Sequence, residues 1–376
     1  MGGPPQTLST LILTIMTEKS VLHLIPGMGG GGAERQLVYL CRGLAHLGWQ
    51  VHVGLLAKGP NFSDLEKTCA SIHLLRARSS YDPALPVRIV RLMRSVNPAV
   101  VQTWLEMMDV LGGATCTAAG KPWVLTQRRS PVRTTGLKWR ARNALAARAS
   151  AVISNSAEGQ VFWSRALPRG VRSAMIPNAL PLDELDAVPP VLVPRVRKGQ
   201  KVILYTGRID AEKNLGTLIL ALKILEQSHD FMAFLVGEGE LRGDMESLVR
   251  RNGLEEKVFL PGYKPRGEIW GLMKGVDLFV SISTREGMPN TVMEAMGCGC
   301  RLVLSDIPEH RGFVPAECTT FVDPLEVRAV AAGLREALDD GADRSRRAAR
   351  LREVSEGMTI ETMAGRYEAV YHDILR

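Results

Sequence analysis

The sequence lacks any apolar stretch of the ~18 to 20 residues that a membrane-spanning helix needs, so we expect no integral membrane segment. The apolar stretch near the amino terminus, residues 8–16, has no basic region before it and no small-residue cleavage site. It therefore does not match a signal peptide. Two alternatives stay open: Met16 is the true start, or a short apolar tail contacts a membrane or a neighbouring protein.

Cysteines are few and do not have the even spacing of a disulfide framework. Most of the six lie inside apolar runs, which favours a reducing compartment. Cys298 and Cys300 could be interpreted as metal ligands, but no second Cys or His pair is near them. The favoured interpretation is that they are small packing residues after a helix.

Acidic residues are scarce in the first half. Residues 1–190 contain 21 Lys and Arg against 11 Asp and Glu, whereas the remainder contains 26 against 28. No acidic residue lies between Lys121 and Ala157, a segment with eight cations. No aromatic-interleaved patch or nucleic-acid motif accompanies this charge, so we expect no nucleic-acid partner.

Within this basic segment, four apolar residues would share one face of a helix: Leu137, Ala141, Ala144 and Leu145. Trp139 and several cations lie beside them. The pattern is compatible with a helix on an anionic membrane surface, and also with an ordinary solvated helix face. We expect a cytoplasmic protein, with peripheral contact at the inner face of the cell membrane as the open alternative.

Strand-like and helix-like segments alternate along the whole chain, with seven strand-like runs in the first half and six in the second. Such alternation predicts an α/β fold with two doubly wound parallel sheets covered by helices on both faces. A Pro-rich segment from Leu180 to Gly199 interrupts the pattern and indicates a domain boundary. The predicted division is a first domain at 1–185, a linker at 186–199, a second domain at 200–355 and a last helix at 356–376.

Two cations follow the first predicted strand of the second domain. Arg208 and Lys213 come after the apolar run Val202–Tyr205 and flank the start of a helix near Asn214. Two cations at this position can hold a diphosphate.

Two carboxylates lie further along, where Glu286 is on a predicted loop and Glu294 is one turn into a helix. Pro289 suits the first helical turn, and Asn290 or Thr291 can cap it. Free N–H groups at such a helix start attract an anion. We expect Glu294 to accept hydrogen bonds from ribose hydroxyls, and Glu286 to face the group beyond the phosphates.

These residues together resemble glycosyltransferase family 4, whose carboxyl-terminal half carries an Arg-x4-Lys pair and a Glu-x7-Glu pair. Further matching motifs occur in family order: GGAER (31–35), VISNSAEG (152–159), IPNALPLD (176–183), VGEGEL (236–241) and FLPGY (259–263). The resemblance covers nearly the whole chain. It implies the GT-B fold, in which two Rossmann-like domains face a cleft and a C-terminal helix crosses back to the first domain.

The resemblance also implies roles. The first domain would bind the acceptor and the second the nucleotide sugar, with UDP as the commonest donor nucleotide. Catalytic roles fall to Arg208, Lys213 and Glu286. Substrate-binding roles fall to Gly30, Gly31, Glu34, Arg128, Gly237, Gly239, Tyr263, Met288, Pro289, Asn290, Thr291 and Glu294.

No Asp-x-Asp motif is present, although metal-dependent glycosyltransferases usually carry one on a loop. We therefore expect no metal and no other cofactor. Fixed cations and a helix N-terminus would instead stabilise the charge that develops on the departing diphosphate. The resembled family retains the anomeric configuration and is usually thought to use the leaving phosphate to help deprotonate the acceptor.

The glycines after the first strand, Gly27, Gly29 and Gly32, match the G-x-G-x-x-G dinucleotide pattern. The acidic residue that such a site needs about 20 residues later is absent, because Val51–Lys58 ends in a basic residue. NAD or FAD is therefore disfavoured. Either these glycines bring backbone N–H groups close to donor phosphate or acceptor, with Glu34 at the helix start, or they form a turn without ligand contact.

The chain departs from the family where many members place a His in the first domain. Arg128 lies about where that His is expected, and an Arg stays protonated and cannot act as a base. Either Arg128 contacts phosphate or an acceptor carboxylate, or the site tolerates the loss of the His. Glu106 and Asp109 are possible acceptor-side groups, and His23 is interpreted either as a packing residue or as one that supports the residues in contact with substrate.

Three functions compete. The favoured one is a retaining hexosyl- or N-acetylhexosaminyltransferase that acts on a glycan or polyprenyl-linked acceptor in cell-envelope polysaccharide biosynthesis. The second is a sugar-nucleotide-modifying enzyme of the same fold, such as an epimerase. The third is a non-catalytic binding protein.

Overall fold

The computed structural model describes residues 19–68, 70–79, 82–129, 136–191, 193, 196–340 and 344–376. The amino-terminal apolar stretch, Cys69 and part of the basic segment, including Arg133, lie outside these residues. The chain divides into two compact units: Met1–Ala179 with Ile360–Arg376, and Leu180–Thr359. In the described residues, no helix combines the length and apolar character that crossing a membrane requires.

The first unit is built on a seven-stranded parallel sheet with the order β3-β2-β1-β4-β5-β6-β7. Its strands are β1 Ser20–Gly27, β2 Gln50–Ala57, β3 Ser71–Leu74, β4 Val100–Trp104, β5 Trp123–Gln127, β6 Ala151–Ser154 and β7 Arg172–Met175. Its helices are α1 Gly32–His46, α2 Phe62–Glu66, α3 Leu85–Val96, α4 Leu105–Ala118, α5 Leu137–Ala146, α6 Ala157–Ala166 and the C-terminal α15 Ile360–Leu375.

The central strands of this sheet are buried on both faces, as expected where helices cover a parallel sheet on each side. Helix α15 completes one of these layers by packing against α1. A methyl group added at Gly43 would lie 2.6 Å from the Cβ of Ala364, so the two helices approach closely because Gly43 has no side chain. The tyrosines Tyr367 and Tyr371 of α15 are fully buried in the core of the first unit.

The second unit is built on a six-stranded parallel sheet with the order β10-β9-β8-β11-β12-β13. Its strands are β8 Lys201–Thr206, β9 Phe231–Val236, β10 Val258–Gly262, β11 Leu278–Ser281, β12 Leu302–Ser305 and β13 Thr319–Val322. Its helices are α7 Leu182–Ala187, α8 Leu215–Leu225, α9 Arg242–Arg251, α10 Arg266–Gly275, α11 Asn290–Gly297, α12 Pro308–Arg311, α13 Val327–Asp339 and α14 Arg344–Glu356, with short 3-10 turns at Ala211–Lys213 and Ala316–Cys318.

Helix α7 lies at the start of the predicted Pro-rich boundary segment. Leu182 and Leu185 of this helix are buried and belong to the core of the second unit. A side chain at Gly297 would collide with that core, since an added methyl group would lie 2.7 Å from Leu180. The segment from Leu180 through α7 is therefore an integral part of the second unit.

The predicted fold class is confirmed, and the seven strands expected in the first half and the six in the second are all present. In both sheets the strand order reverses at one place, between β1 and β4 in the first unit and between β8 and β11 in the second. Loops that leave the carboxyl ends of such neighbouring strands diverge and form a crevice, which is where doubly wound folds bind ligands.

Candidate functional site

We call the place where the strand order of a sheet reverses its switch point. In the second unit, the loop after β8 at the switch point carries the predicted cations. Near the end of β8, the Tyr205 hydroxyl donates to the Arg208 carbonyl at 2.7 Å. The Arg208 guanidinium, which is more than half exposed, pairs with Asp210 at 2.9 Å. Asp210 also accepts a hydrogen bond from the Lys213 backbone N–H at 3.2 Å and so caps the 3-10 turn. The Asp210 carboxylate therefore binds the side chain of Arg208 and the backbone of Lys213.

The first predicted carboxylate meets the second cation directly. Glu286 follows β11, and its Oε1 lies 2.5 Å from Lys213 Nζ, with 10% and 17% of the two side chains exposed. The loop that carries Glu286 is fastened to the 3-10 turn, because the Thr284 N–H donates to the Glu212 carbonyl at 2.8 Å. Arg285 pairs with the Glu212 carboxylate at 3.0 Å. The structure thus brings together the two half-sites that lie 73 residues apart in the sequence.

Helix α11 begins next to this loop and differs from the expected start by one residue. Pro289 is the N-cap residue and not a residue of the first turn, and its side chain makes no capping hydrogen bond. The predicted capping by Asn290 or Thr291 is therefore wrong, because both residues already lie within the helix. Glu294 is one turn in, as predicted, and only 3% of it is exposed. Met288 is half-buried just before the N-cap.

Gly237 and Gly239 are required by the protein's own backbone. A side chain at either position would collide with the carbonyl of Gly207 or of Ile209, respectively. The two loops are also joined by the Ile209 N–H, which donates to the Glu238 carbonyl at 2.9 Å. These glycines thus bring the loop after β9 against the loop that carries Arg208, and nucleotide contact by them stays a prediction.

Tyr263 comes directly after β10 and is 66% exposed. The preceding Gly262 has a φ of 80°, a left-handed conformation that favours glycine. This turn projects an exposed aromatic residue from the carboxyl edge of the sheet. A base-binding role for it stays a prediction.

Sequence reasoning missed three buried or partly buried polar residues at this switch point: Tyr205, Asp210 and His310. Burial, together with the nearby Glu286 and Asp210, raises the pKa of Tyr205 well above its ordinary value. His310 is fully buried. Each of the three lies at or within five residues of the end of a strand, and this position is the signal that could have found them.

In the first unit, the Gly-rich loop is fastened at both ends. The Asn61 side chain donates to the Gly29 carbonyl, and its backbone N–H donates to the Met28 carbonyl at 3.1 Å. A methyl group at Gly31 would lie 2.5 Å from Glu34 Oε2, so the carboxylate of Glu34 folds back over the N-cap of α1. This is the placement of the acidic residue in a capping box. Glu34 therefore has a structural role, and its predicted substrate contact stays a prediction.

Gly30 differs from its neighbours. A methyl group added there would meet nothing within 4 Å, and its φ is not in the left-handed region. The packing of the described residues therefore does not require glycine at this exposed position, and the close approach of a ligand to Gly30 stays a prediction.

Arg128 is bound within the first unit. Its guanidinium donates to Asn178 Oδ1 at 2.9 Å and to the Tyr367 hydroxyl at 2.7 Å, and it lies 4.4 Å from the centre of the Trp104 ring. These bonds link β5 to the C-terminal helix. A contact from Arg128 to substrate stays a prediction, and this structural role is one that the sequence did not indicate.

Asp109 is not an acceptor-side group. It is 0% exposed and lies 2.6 Å from Arg142 Nε, while the Thr103 hydroxyl donates to its other oxygen at 2.7 Å. The sequence-based prediction failed because the partner lies 33 residues later on α5. Glu106 is in the first turn of α4 and is half-buried.

Cys298 and Cys300 lie at the end of α11, and their thiols contact the carbonyls of Trp270 and Met273 at 3.8 and 3.1 Å. Burial raises the pKa of the Cys298 thiol well above its ordinary value. Within the part of the chain that the structure describes, there is no cluster of three or more His, Cys, Asp or Glu side chains that could hold a metal ion.

Comparisons with known proteins show which family and which fold this chain resembles. Residues 30–184 match the family model described as Glycosyltransferase Family 4, and residues 193–354 match the one described as Glycosyl transferases group 1. The putative glycosyltransferase EpsF of Bacillus subtilis is 26% identical over 318 residues, which cover 77% of this chain and 80% of EpsF.

A second relative is the Escherichia coli UDP-Gal:alpha-D-GlcNAc-diphosphoundecaprenol alpha-1,3-galactosyltransferase. It is 22% identical over 282 residues, which cover 68% of this chain and 69% of that protein. Among solved structures, Anabaena HepE in complex with UDP and glucose superimposes with a TM-score of 0.80 at 20% identity, covering 94% of this chain and 100% of HepE. This last likeness shows the fold.

Proposed function

We propose that this chain, which belongs to glycosyltransferase family 4 and has the GT-B fold, transfers a sugar from a UDP-sugar donor. The acceptor that we propose is a lipid-linked sugar or a glycan, and the anomeric configuration is retained. HepE was solved with UDP, and the Escherichia coli relative is named for a UDP-sugar donor and a diphosphoundecaprenol acceptor. These names support a UDP donor and a role in cell-envelope polysaccharide synthesis. A hexosyl or N-acetylhexosaminyl unit is the sugar that we propose.

The Lys213–Glu286 pair at the switch point carries this proposal. Each predicted cation is held by a carboxylate, Arg208 by Asp210 and Lys213 by Glu286. We propose that diphosphate oxygens replace these carboxylates as partners when the donor binds. The cations are then already positioned where negative charge develops on the leaving group, which lowers the barrier without reorganisation at the moment of reaction.

Glu286 and Glu294 would orient the two sugars of the donor. When Lys213 turns to the phosphate, Glu286 can accept hydrogen bonds from the hydroxyls of the transferred sugar. The buried Glu294 would accept hydrogen bonds from the ribose hydroxyls, and the N-terminus of α11, with its positive dipole end, would favour the negative phosphates. We propose that no metal and no other cofactor is needed, because these groups supply the positive charge.

A panel of UDP- and GDP-sugars tests the proposal. We expect slow release of free nucleotide from one UDP-sugar, faster release with a polyprenyl-diphosphate-sugar acceptor, and no change with EDTA. The anomeric configuration of the product, read by NMR, should match that of the donor. An altered sugar without nucleotide release would instead indicate an epimerase, and binding without turnover would indicate a non-catalytic protein.

We also propose peripheral contact with an anionic membrane through α5, at the inner face of the cell membrane. The buried residues of this helix are Arg142 and Ala146. By contrast, Leu137 is 82% exposed and Ala144 is exposed. An apolar edge that is exposed beside cations is the pattern of a helix that rests on anionic lipid.

A further inference from the structure

Three neighbouring strands of the second unit end in buried polar side chains beneath the predicted site. Thr206 is the last residue of β8, Ser283 follows β11 by two residues, and His310 follows β12. Their Oγ1, Oγ and Nε2 atoms are buried and have no hydrogen-bond partner in the part of the chain that the structure describes. Buried polar atoms without partners are rare, and each calls for a physical explanation.

The hydrogen bonds around His310 define its tautomer. The Ser305 hydroxyl donates its single proton to the Ser283 carbonyl at 2.7 Å. His310 Nδ1 lies 3.0 Å from both the hydroxyl and the carbonyl oxygen of Ser305, so Nδ1 must be the donor in this contact. The proton of a neutral His310 is therefore on Nδ1, and Nε2 carries a lone pair.

This network connects His310 to the loop of Glu286. The Ser283 carbonyl, which Ser305 holds, lies three residues before Glu286. On the other side, the same loop is fastened by the Thr284 N–H to Glu212. His310 and Ser305 thus fix one end of the short segment that brings Glu286 to Lys213.

The protonation state of His310 affects the ion pair between Lys213 and Glu286. Glu286 and Lys213 both interact electrostatically with the imidazole, and burial lowers the pKa of His310 below its ordinary value. A neutral imidazole leaves Lys213 as the partner of Glu286. A protonated imidazole would add a second cation that competes for the same carboxylate.

We propose that His310 is a positioning residue for sugar transfer, which holds the Glu286 loop through the Ser305 hydroxyl and its bond to the Ser283 carbonyl. The inference rests on the proposed function. His310 itself touches no substrate in this account. Its effect is on turnover, through the position of Glu286, and not on nucleotide affinity.

Substitutions that distinguish the contribution of Nδ1 from that of the whole imidazole test this role. His310→Asn keeps a donor near the position of Nδ1, whereas His310→Phe removes both nitrogens. We expect His310→Phe to lower kcat roughly ten- to hundredfold, because a misplacement of about 1 Å can cost that much. His310→Asn should restore most of the loss, and UDP affinity should change less than threefold in both variants.

Two controls keep the test decisive. His229→Asn changes a partly buried His of the same unit, which pairs with Asp339, and should leave kcat unchanged. Ser305→Ala removes the link while it keeps His310, so it should lower kcat even if the His310→Phe variant does not fold. The wild-type kcat should fall in acid as His310 becomes protonated, and His310→Asn should lack that decline.

The inference is overturned if Ser305→Ala keeps the wild-type kcat, or if His310→Asn is as slow as His310→Phe while both bind UDP normally. A wild-type protein that releases no nucleotide from any donor would refute the proposed function instead. The two failures are therefore distinguishable.

Discussion

The switch points of the two units share one topology but differ in the chemistry that surrounds them. At that of the second unit, Arg208, Lys213 and Glu286 are partly exposed charged groups that pair within the loops. At that of the first unit, His23 and Trp104 are fully buried. The doubly wound sheet therefore determines where a site forms, whereas the residues on the loops determine what it can bind.

Near the switch point of the first unit, three aromatic or charged residues bind one another. The Trp104 ring N–H donates to His23 Nδ1 at 3.3 Å, and Arg128 connects this group to the C-terminal helix through Tyr367. Burial, and then the nearby Arg128, lowers the pKa of His23 to about 3, so its imidazole is neutral. Leu105, the first residue of α4, has a φ of 66°, and such strain in a non-glycine residue is typical of functional sites.

The largest expected effect is on the stability of the first unit, and the second unit should be unaffected. Asp109→Asn leaves the guanidinium of Arg142 buried without its counter-charge, which should lower the free energy of unfolding by about 3–5 kcal/mol. Urea denaturation measures this loss. Asp64→Asn, which changes an exposed pair with Lys67 in the same unit, should cost less than about 1 kcal/mol. Equal losses in the two variants would contradict the assignment of a buried pair.

The next effect is on catalysis in the second unit. Lys213→Ala removes a cation that stabilises the leaving diphosphate, and kcat should fall roughly 10²- to 10³-fold. Lys223→Ala, which changes a surface Lys paired with Glu226 on α8, is the matched control and should keep full activity. Steady-state kinetics with a UDP-sugar compares the two. A Lys213→Ala variant with wild-type kcat would remove Lys213 from the site.

Glu294→Ala should act on binding. A carboxylate that accepts hydrogen bonds from ribose contributes about 1.5–3 kcal/mol, so the Kd for UDP should rise roughly 10- to 150-fold. Calorimetric titration with UDP measures the change, and Glu226→Ala on the surface serves as the control. An unchanged Kd would mean that Glu294 is a core residue only.

The buried His23 makes the stability of the first unit depend on pH. Its pKa is about 6.5 when the chain is unfolded and about 3 when folded, so only the unfolded chain binds the proton between these values. The free energy of unfolding should therefore fall by up to about 1.4 kcal/mol for each unit that the pH drops from about 6.5 towards 3. When it is measured at several pH values, the free energy of unfolding should depend less on pH in His23→Gln than in His46→Gln, which changes an exposed His. Parallel slopes would contradict a neutral buried His23.

The smallest effect concerns the membrane. Lys138 and Arg140 are exposed on α5, and each basic residue near an anionic surface contributes about 1 kcal/mol, so each change to Gln should weaken vesicle binding roughly fivefold. Sedimentation with vesicles rich in phosphatidylglycerol measures this. Arg251→Gln, on the surface of the second unit, should bind as the wild type does. No binding of the wild type to these vesicles would refute the contact.

The regular elements could be predicted because apolar, β-rich runs such as Val202–Tyr205 have one stable arrangement between helical layers. The second-unit site could be predicted in part, because Arg208, Lys213 and Glu286 lie at strand ends. The pairing of Asp109 with Arg142 could not, since it depends on how two helices pack side by side.

Other details depend on single backbone positions. The start of α11 was misplaced by one residue, because Pro289 is acceptable both as an N-cap and in a first turn. His310 escaped notice because its role depends on its bond to Ser305, whose hydroxyl in turn donates to the Ser283 carbonyl after a different strand. Sequence spacing shows none of these contacts.

Hydrogen–deuterium exchange with saturating UDP tests most directly the claim that the switch point of the second unit binds the donor diphosphate. We predict slower exchange of the amides in residues 207–214 and 286–294, and no change in β6 or β7 of the first unit. Binding of UDP, verified by titration in the same buffer, without protection of either segment would contradict the account.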